Sequence, residues 1–203
     1  MKDDINPAKQ GSEDDAIRQA RNALRRERII AREALSADEH ARRSALGLDH
    51  LAGQLSAREP SLLGFYWPIH AEVDCRPLIV KLLAQGWHAC LPHITDRHQA
   101  MKFREWTPTT KMADGEYGIP TVDTGSFVEP DVLLIPVNVF DAKGFRLGYG
   151  GGYYDRTLAA MKARPYVMGV SFELARVDSI QPHLQDIAMN AVVTESGVTV
   201  FTE

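Results

Sequence analysis

Val132-Leu-Leu-Ile-Pro-Val-Asn-Val-Phe140 is an almost continuous apolar run, and Asp141-Ala-Lys-Gly-Phe-Arg146-Leu-Gly-Tyr-Gly-Gly-Gly-Tyr-Tyr-Asp155-Arg156 follows it directly. A short apolar run of this kind is typical of a strand that is buried on both faces of a parallel sheet. Residues 157–163 have the composition of a helix. The stretch therefore predicts a buried strand, a glycine-rich loop and a helix, in that order.

The loop has the chemistry of a phosphate site. Four of the five residues 148–152 are glycine, so successive backbone N–H groups can converge on one anion, and the next helix adds its positive end. Arg146 and Arg156 supply forked positive charge, and Asp155 supplies a hard oxygen ligand for Mg²⁺. These features predict a nucleotide-phosphate site.

Two common phosphate motifs do not match the loop. No Gly-Lys-Ser/Thr follows it, and Tyr153 stands where the dinucleotide fingerprint needs glycine or alanine. A simpler interpretation is a loop whose glycines only make a tight turn. The arginine on one side and the aspartate on the other favour the functional interpretation.

The rest of the chain predicts the fold class α/β, a three-layer α/β/α arrangement with a largely parallel sheet and an N-terminal helical pair. We expect residues 1–12 to form a disordered leader and residues 13–203 to form a single domain. Ser12 would begin a helix to about Leu35, and a capping box at Ser36 would begin a second helix to about Ala57. Further predicted strands are 62–67, 87–92, 101–106, 132–139, 166–171 and 190–194, and further helices are 76–85 and 151–163.

The loop also resembles the signature of the 5-formyltetrahydrofolate cyclo-ligase family, also called 5,10-methenyltetrahydrofolate synthetases. The resemblance starts at Pro136-Val-Asn-Val-Phe-Asp and ends at Leu158. Weaker matches, in the family's order, are Phe65-Tyr-Trp-Pro with Glu72-Val-Asp, Tyr117-Gly-Ile-Pro, Asp186, and Val192-Val-Thr-Glu. They extend the similarity over roughly residues 16 to 201.

The resemblance implies an ATP-dependent ligase that uses Mg²⁺ as cofactor and ATP as co-substrate. It implies nucleotide binding by Arg21, Arg25, Arg146, Leu147, Gly148, Tyr149, Gly150, Gly151, Gly152, Tyr153 and Tyr154. It implies 5-formyltetrahydrofolate binding by Trp67, Glu72, Tyr149, Gly150, Gly151, Gly152 and Tyr153. It implies catalytic roles for Arg146 and Tyr153, and Mg²⁺ ligation by Asp155 and Asp186.

Several of these residues also have ordinary structural interpretations. Arg21, Arg25, Arg28 and Arg32 share one helical face, which is often simply solvated, and Arg21 replaces a family lysine. Trp67 and Glu72 could be a core aromatic residue and a helix-start acid. At least one tyrosine of the loop could pack the helix against the sheet, and Asp186 could be a surface acid.

Composition limits the function classes. The net charge of −4 gives no general attraction to nucleic acid, and the two cysteines make no disulfide framework or metal motif. We expect a cytoplasmic monomer without a signal peptide, membrane partner or nucleic-acid partner. Two alternatives stay open: a sugar-phosphate isomerase with a similar loop, and a non-catalytic or diverged paralogue that binds nucleotide or folate.

Overall fold

The structure is a computed structural model that describes residues 7–202, with side chains from residue 15 onward. Its helices are α1 Pro7–Glu33, α2 Ala37–Ser56, α3 Arg76–Leu83 and α4 Tyr153–Ala160. Among the described residues, no helix is both long and apolar enough to cross a membrane.

The first helix begins earlier than predicted. It starts at Pro7, whereas the sequence suggested a start after Ser12, so residues 7–12 of the expected leader are helical. Proline suits the first turn of a helix because its missing N–H would have no intrahelical partner there. The remainder of the expected leader, residues 1–6, lies outside the described residues. The second helix has the predicted cap, because the backbone N–H of Glu39 donates to the Ser36 hydroxyl.

The part of the chain that the structure describes has thirteen strands. In chain order they are β1 Leu62–Gly64, β2 His88–His93, β3 Lys102–Glu105, β4 Ala113–Asp114, β5 Pro120–Thr121, β6 Phe127–Val128, β7 Val132–Pro136, β8 Val139–Asp141, β9 Arg146–Leu147, β10 Tyr166–Val170, β11 Arg176–Val177, β12 Ala191–Thr194 and β13 Gly197–Val200. Six of them, β1, β2, β3, β7, β10 and β12, lie in the predicted segments. The sequence did not predict the two-residue strands β4, β5, β6, β9 and β11, nor the strand β13 at the edge of the large sheet.

The large sheet has the order β13-β12-β10-β7-β1-β2-β3-β6. The five strands from β12 to β2 are parallel, and antiparallel strands continue the sheet on both sides. Strand β7 lies in the middle, paired with β10 and β1. The predicted α/β class with a largely parallel sheet is therefore confirmed.

Alternate residues of β7 enter different hydrophobic cores, as the two faces of a strand require. Leu134 packs in a cluster with Leu51 of α2 and Ile79 of α3. Leu133 and Ile135 pack in a second cluster with Leu158 of α4. The sheet is thus covered on both faces, which gives the predicted three layers.

The predicted strand 132–139 is in fact two strands in two sheets. Strand β7 ends at Pro136, which has no N–H to continue a ladder, and β8 begins three residues later. Strand β8 pairs with β9 and β11 in a small separate sheet. The Asp141 carboxylate accepts hydrogen bonds from the Lys143 and Phe145 N–H groups and so closes the turn that leads to β9. This change of sheet directs the glycine loop over the carboxyl ends of the central strands.

Candidate functional site

A cleft of about 1040 Å³ opens at the carboxyl ends of β7, β1 and β2, where open α/β sheets bind their ligands. All the residues predicted for the site line this one cleft, although they come from distant parts of the chain. They are Arg21, Arg25, Trp67, Glu72, Arg146, Leu147, Gly148, Tyr149, Gly150, Gly151, Gly152, Tyr153, Tyr154, Asp155 and Asp186.

The glycine loop takes conformations that glycine alone adopts easily. Gly150 has φ +93° and Gly152 has φ +65°, both in the left-handed region. Gly152 is the N-cap of α4 and has no side chain to cap it, so the first N–H groups of α4 lack a side-chain acceptor. These groups and the positive end of the helix lie at the cleft, as an anion site requires.

Arg146 connects the loop to the segment that carries Asp186. Its side chain leaves β9 and is only 6% exposed. One terminal nitrogen donates to the Ile187 carbonyl at 2.6 Å, and the other donates to Asp155 Oδ1 at 3.0 Å. The same Asp155 oxygen accepts from the Ile187 N–H at 3.1 Å. Arg146 is therefore a fixed positive charge in the cleft.

Helix α1 brings two more arginines to the cleft. Arg21 donates to both carboxylate oxygens of Asp186, at 2.8 and 3.1 Å, and Arg25 Nε donates to the Gly148 carbonyl at 3.0 Å. Burial would raise the pKa of Asp186, but its hydrogen bonds from Arg21 and from the His183 N–H outweigh burial and lower the pKa. Burial and the nearby Arg21 charge lower the pKa of Arg25. The interpretation of the basic face as merely solvated is therefore wrong for these two residues.

A buried carboxylate forms another part of the cleft. Glu72 is 6% exposed, and its Oε1 accepts from the Tyr149 hydroxyl at 2.7 Å while its Oε2 accepts from the Ile69 N–H at 3.0 Å. Burial raises the pKa of Glu72, and these two hydrogen bonds oppose the rise. Each carboxylate oxygen can accept a second hydrogen bond, so the group can still receive two donors from a ligand.

Aromatic rings complete the lining. Trp67 is half-buried, and the Arg76 guanidinium lies 4.3 Å from the centre of its ring. Tyr149 is 45% exposed, and the Tyr153 hydroxyl lies 3.1 Å from the Tyr117 hydroxyl. Tyr154 packs against the second core cluster, so the packing interpretation holds for one of the three tyrosines.

The sequence did not single out three residues that the structure brings to this region. Arg32 was noticed only as part of the basic face, and Asn138 only as part of a motif. Tyr117 was quoted as a connector, yet it takes a left-handed φ of +59° and contacts Tyr153. The one available signal was the spacing of Arg32, which continues the face of Arg21 and Arg25.

The two predicted magnesium ligands have a donor set that fits the ion when phosphates are present. Mg²⁺ is usually held by one or two carboxylates together with phosphate oxygens and water. Asp155 and Asp186 both line the cleft, and Asp155 Oδ1 is the oxygen engaged by Arg146. Among the described side chains, no group of three or more histidine, cysteine, aspartate or glutamate residues could hold a metal ion by itself.

Comparisons with known proteins agree with this geometry. A profile of the 5-formyltetrahydrofolate cyclo-ligase family matches residues 17–195. A 5-formyltetrahydrofolate cyclo-ligase of Haemophilus influenzae is 28% identical over 148 residues, which cover 69% of this chain and 79% of that protein. The same-named protein of Escherichia coli K12 is 32% identical over 136 residues, which cover 63% and 74%.

A solved structure gives the same result. The structure of Aquifex aeolicus 5,10-methenyltetrahydrofolate synthetase matches with a TM-score of 0.78 and 27% sequence identity, over 90% of this chain and 93% of that one. The similarity therefore extends through the sheet and its helices as well as the glycine loop. The resemblance inferred from the sequence is confirmed, and the chain belongs to the 5-formyltetrahydrofolate cyclo-ligase family.

Proposed function

We propose that this chain is an ATP- and Mg²⁺-dependent ligase that converts 5-formyltetrahydrofolate to 5,10-methenyltetrahydrofolate, with release of ADP and phosphate. The formyl oxygen attacks the γ-phosphorus of ATP, which gives ADP and an imidate phosphate at N5. N10 then attacks the formyl carbon and loses its proton to solvent, and phosphate leaves with the former formyl oxygen. Family membership supports this reaction and argues against the sugar-phosphate isomerase alternative.

The proposal is supported mainly by a single cleft that is lined by cationic and N–H donor groups in one part and by a buried carboxylate with aromatic rings in another. The glycine loop, Arg146 and the arginines of α1 supply N–H donors and positive charge, while Glu72 and Trp67 supply a buried acceptor and a flat apolar surface. Phosphoryl transfer depends mainly on positioning and on neutralising charge, which the first set can supply. The second set suits the N–H edge and the flat ring of a reduced pterin.

Residues 146–154 with Arg21 and Arg25 would hold the ATP phosphates. Arg146 is the strongest candidate for a catalytic cation, because its burial and its two hydrogen bonds fix it in place. Tyr153 is the second catalytic candidate, since it stands where the loop becomes α4. Asp155 and Asp186 would hold Mg²⁺ with the phosphates, and the ion would neutralise phosphate charge.

The folate would bind at Trp67, Glu72 and residues 149–153. Glu72 would accept hydrogen bonds from the pterin, and the Tyr149 and Tyr153 rings would contact its flat parts. No residue is assigned as a general base for the loss of the N10 proton. A cytoplasmic monomer stays a prediction.

The test is an absorbance assay of the purified protein with 5-formyltetrahydrofolate and Mg²⁺, with and without ATP. The methenyl product absorbs in the near ultraviolet, where the substrate does not. We expect absorbance to rise only when ATP is present. No rise in a folded sample that ATP still stabilises against heat would favour the non-catalytic paralogue and refute the proposal.

A further inference from the structure

Arg32 is the most deeply buried of the arginines on the cleft-facing side of α1, with 4% of its surface exposed. All three of its guanidinium nitrogens donate hydrogen bonds. Nε donates to the His70 carbonyl at 2.8 Å, one terminal nitrogen donates to Asn138 Oδ1 at 2.9 Å, and the other donates to the Tyr149 hydroxyl at 3.1 Å. These partners come from three separate segments of the chain.

The contacts fix the direction of the hydrogen bonds around Tyr149. A guanidinium has only donors, so the Tyr149 oxygen must accept from Arg32. The single hydroxyl proton of Tyr149 is then free to go to Glu72 Oε1, which lies 2.7 Å away. Arg32, Tyr149 and Glu72 therefore form a chain of two hydrogen bonds, called the relay below. Arg32 donates to Tyr149, and Tyr149 donates to Glu72.

The relay brings positive charge close to a carboxylate that burial would otherwise neutralise. Burial raises the pKa of Glu72, while the Tyr149 hydrogen bond and the Arg32 charge lower it. The titratable or charged groups around Glu72 come from α1, from the glycine loop and its helix, and from the segment after β1. They are Arg32, Tyr149, Tyr154, Tyr66, His70 and Cys75.

We propose that Arg32 is a positioning residue which, through the Tyr149 hydroxyl, orients Glu72 as the acceptor for the reduced pterin. This inference rests on the proposed function, in which Glu72 binds the folate. Arg32 need not touch the ligand, because Tyr149 stands between it and the carboxylate. This role differs from the phosphate binding proposed for Arg21 and Arg25. At 1.5 Å per residue, these two arginines lie about 16 Å and about 10 Å from Arg32 along the helix axis.

The test uses Arg32→Met, which keeps an unbranched apolar stem and removes the guanidinium with all of its donors. We expect the KM for 5-formyltetrahydrofolate to rise about tenfold or more, the loss expected for a charged hydrogen-bond network, and the KM for ATP to stay within about twofold. Arg26→Met is the matched control, because Arg26 is an exposed arginine of the same helix, and it should change neither constant.

A second variant keeps the inference testable if Arg32→Met does not fold. Tyr149→Phe removes the relay hydroxyl and leaves α1 intact. It keeps the backbone N–H groups with which the loop would hold the ATP phosphates, so it should also raise the folate KM selectively. If both single variants fold, the double variant should be little worse than either one, because both break the same relay. Additive losses, or equal losses for folate and ATP, would overturn the proposal.

A measurement on the ligand-free protein separates this inference from the proposed function. The Glu72 carboxyl can be titrated by carbon-13 NMR, and its pKa should be higher in Arg32→Met, or in Tyr149→Phe, than in the wild type. An unchanged titration would overturn the relay even if the enzyme is active. A wild type that makes no methenyl product would refute the proposed function, while a raised pKa would still support the relay.

Discussion

Arg146 and Glu72 are the two buried charged residues of the cleft for which different ligands are proposed, ATP for Arg146 and the folate for Glu72. Each is a charged side chain with only 6% exposure, and each is held by two hydrogen bonds or more. Arg146 is tied to the carboxylate of Asp155, whereas the Glu72 carboxylate is tied to a hydroxyl and a backbone N–H. Substitution of Arg146 should therefore weaken the binding of ATP, and substitution of Glu72 should weaken the binding of the folate.

Arg146→Ala should remove most of the binding of ATP. The variant loses a fixed cation and leaves Asp155 without its buried partner, so we expect kcat/KM for ATP to fall about 100-fold or more. The shift of the melting temperature on adding ATP measures the binding directly. Arg164→Ala is the matched control, because Arg164 donates to the neighbouring Ala188 carbonyl but does not line the cleft. A normal ATP shift in Arg146→Ala would refute the assignment of the loop.

Glu72→Gln should weaken folate binding about tenfold and spare ATP, because the variant loses the charge that a pterin N–H edge would contact. The wild type should also lose folate affinity as pH falls through the pKa of Glu72, which burial raises above its ordinary value of 4.5. The Gln variant should lack this dependence. Isothermal titration with each ligand at several pH values makes the comparison, and equal losses for both ligands would indicate a structural role.

At the scale of elements, the glycine loop joins β9 to α4 through two left-handed glycines. The sequence predicted the order of strand, loop and helix, because the apolar run and the glycines are local signals. It did not predict that the strand divides at Pro136, since Val137 and Val139 continue the apolar pattern into another sheet. The hydrophobic pattern predicts which residues are buried, but it does not predict which sheet a strand joins.

Gly152→Ala should destabilise the protein more than Gly148→Ala. Gly152 has φ +65°, a left-handed conformation that strains any residue with a Cβ, so we expect a loss of about 1–2 kcal/mol in the free energy of unfolding. Gly148 has no left-handed φ, and a Cβ there would meet nothing within 4 Å. Urea unfolding of both variants gives the difference, and equal stabilities would contradict the strained loop geometry.

At the scale of the whole molecule, the site depends on contacts between distant parts of the chain. Arg21 pairs with Asp186, and Arg32 reaches Asn138 and Tyr149, more than 100 residues away in each case. The resemblance predicted which residues line the cleft, but periodicity within α1 could not identify the partners of Arg32. Only the folded sheet brings those segments together.

Acid should destabilise the molecule through carboxylates that gain partners on folding. Burial would raise the pKa of Glu173, but hydrogen bonds from Arg176 and Thr194 outweigh burial and lower it below 4.5. A lowered pKa contributes stability that is present above the unfolded value and is lost as pH falls through the folded one. The melting temperature should therefore decrease as the pH is lowered from about 4.5. This decrease should be smaller in Glu173→Gln than in the wild type. An identical pH profile in the variant would contradict the assignment.

In the proposed reaction, the formyl oxygen of the substrate attacks the γ-phosphorus of ATP in this cleft. The most direct test is a reaction with 5-formyltetrahydrofolate that carries oxygen-18 in its formyl group, followed by mass spectrometry of the inorganic phosphate. We expect one labelled oxygen in each phosphate released with the methenyl product. Labelled water and unlabelled phosphate would show that ring closure does not pass through a phosphorylated formyl group, and would refute the proposed reaction.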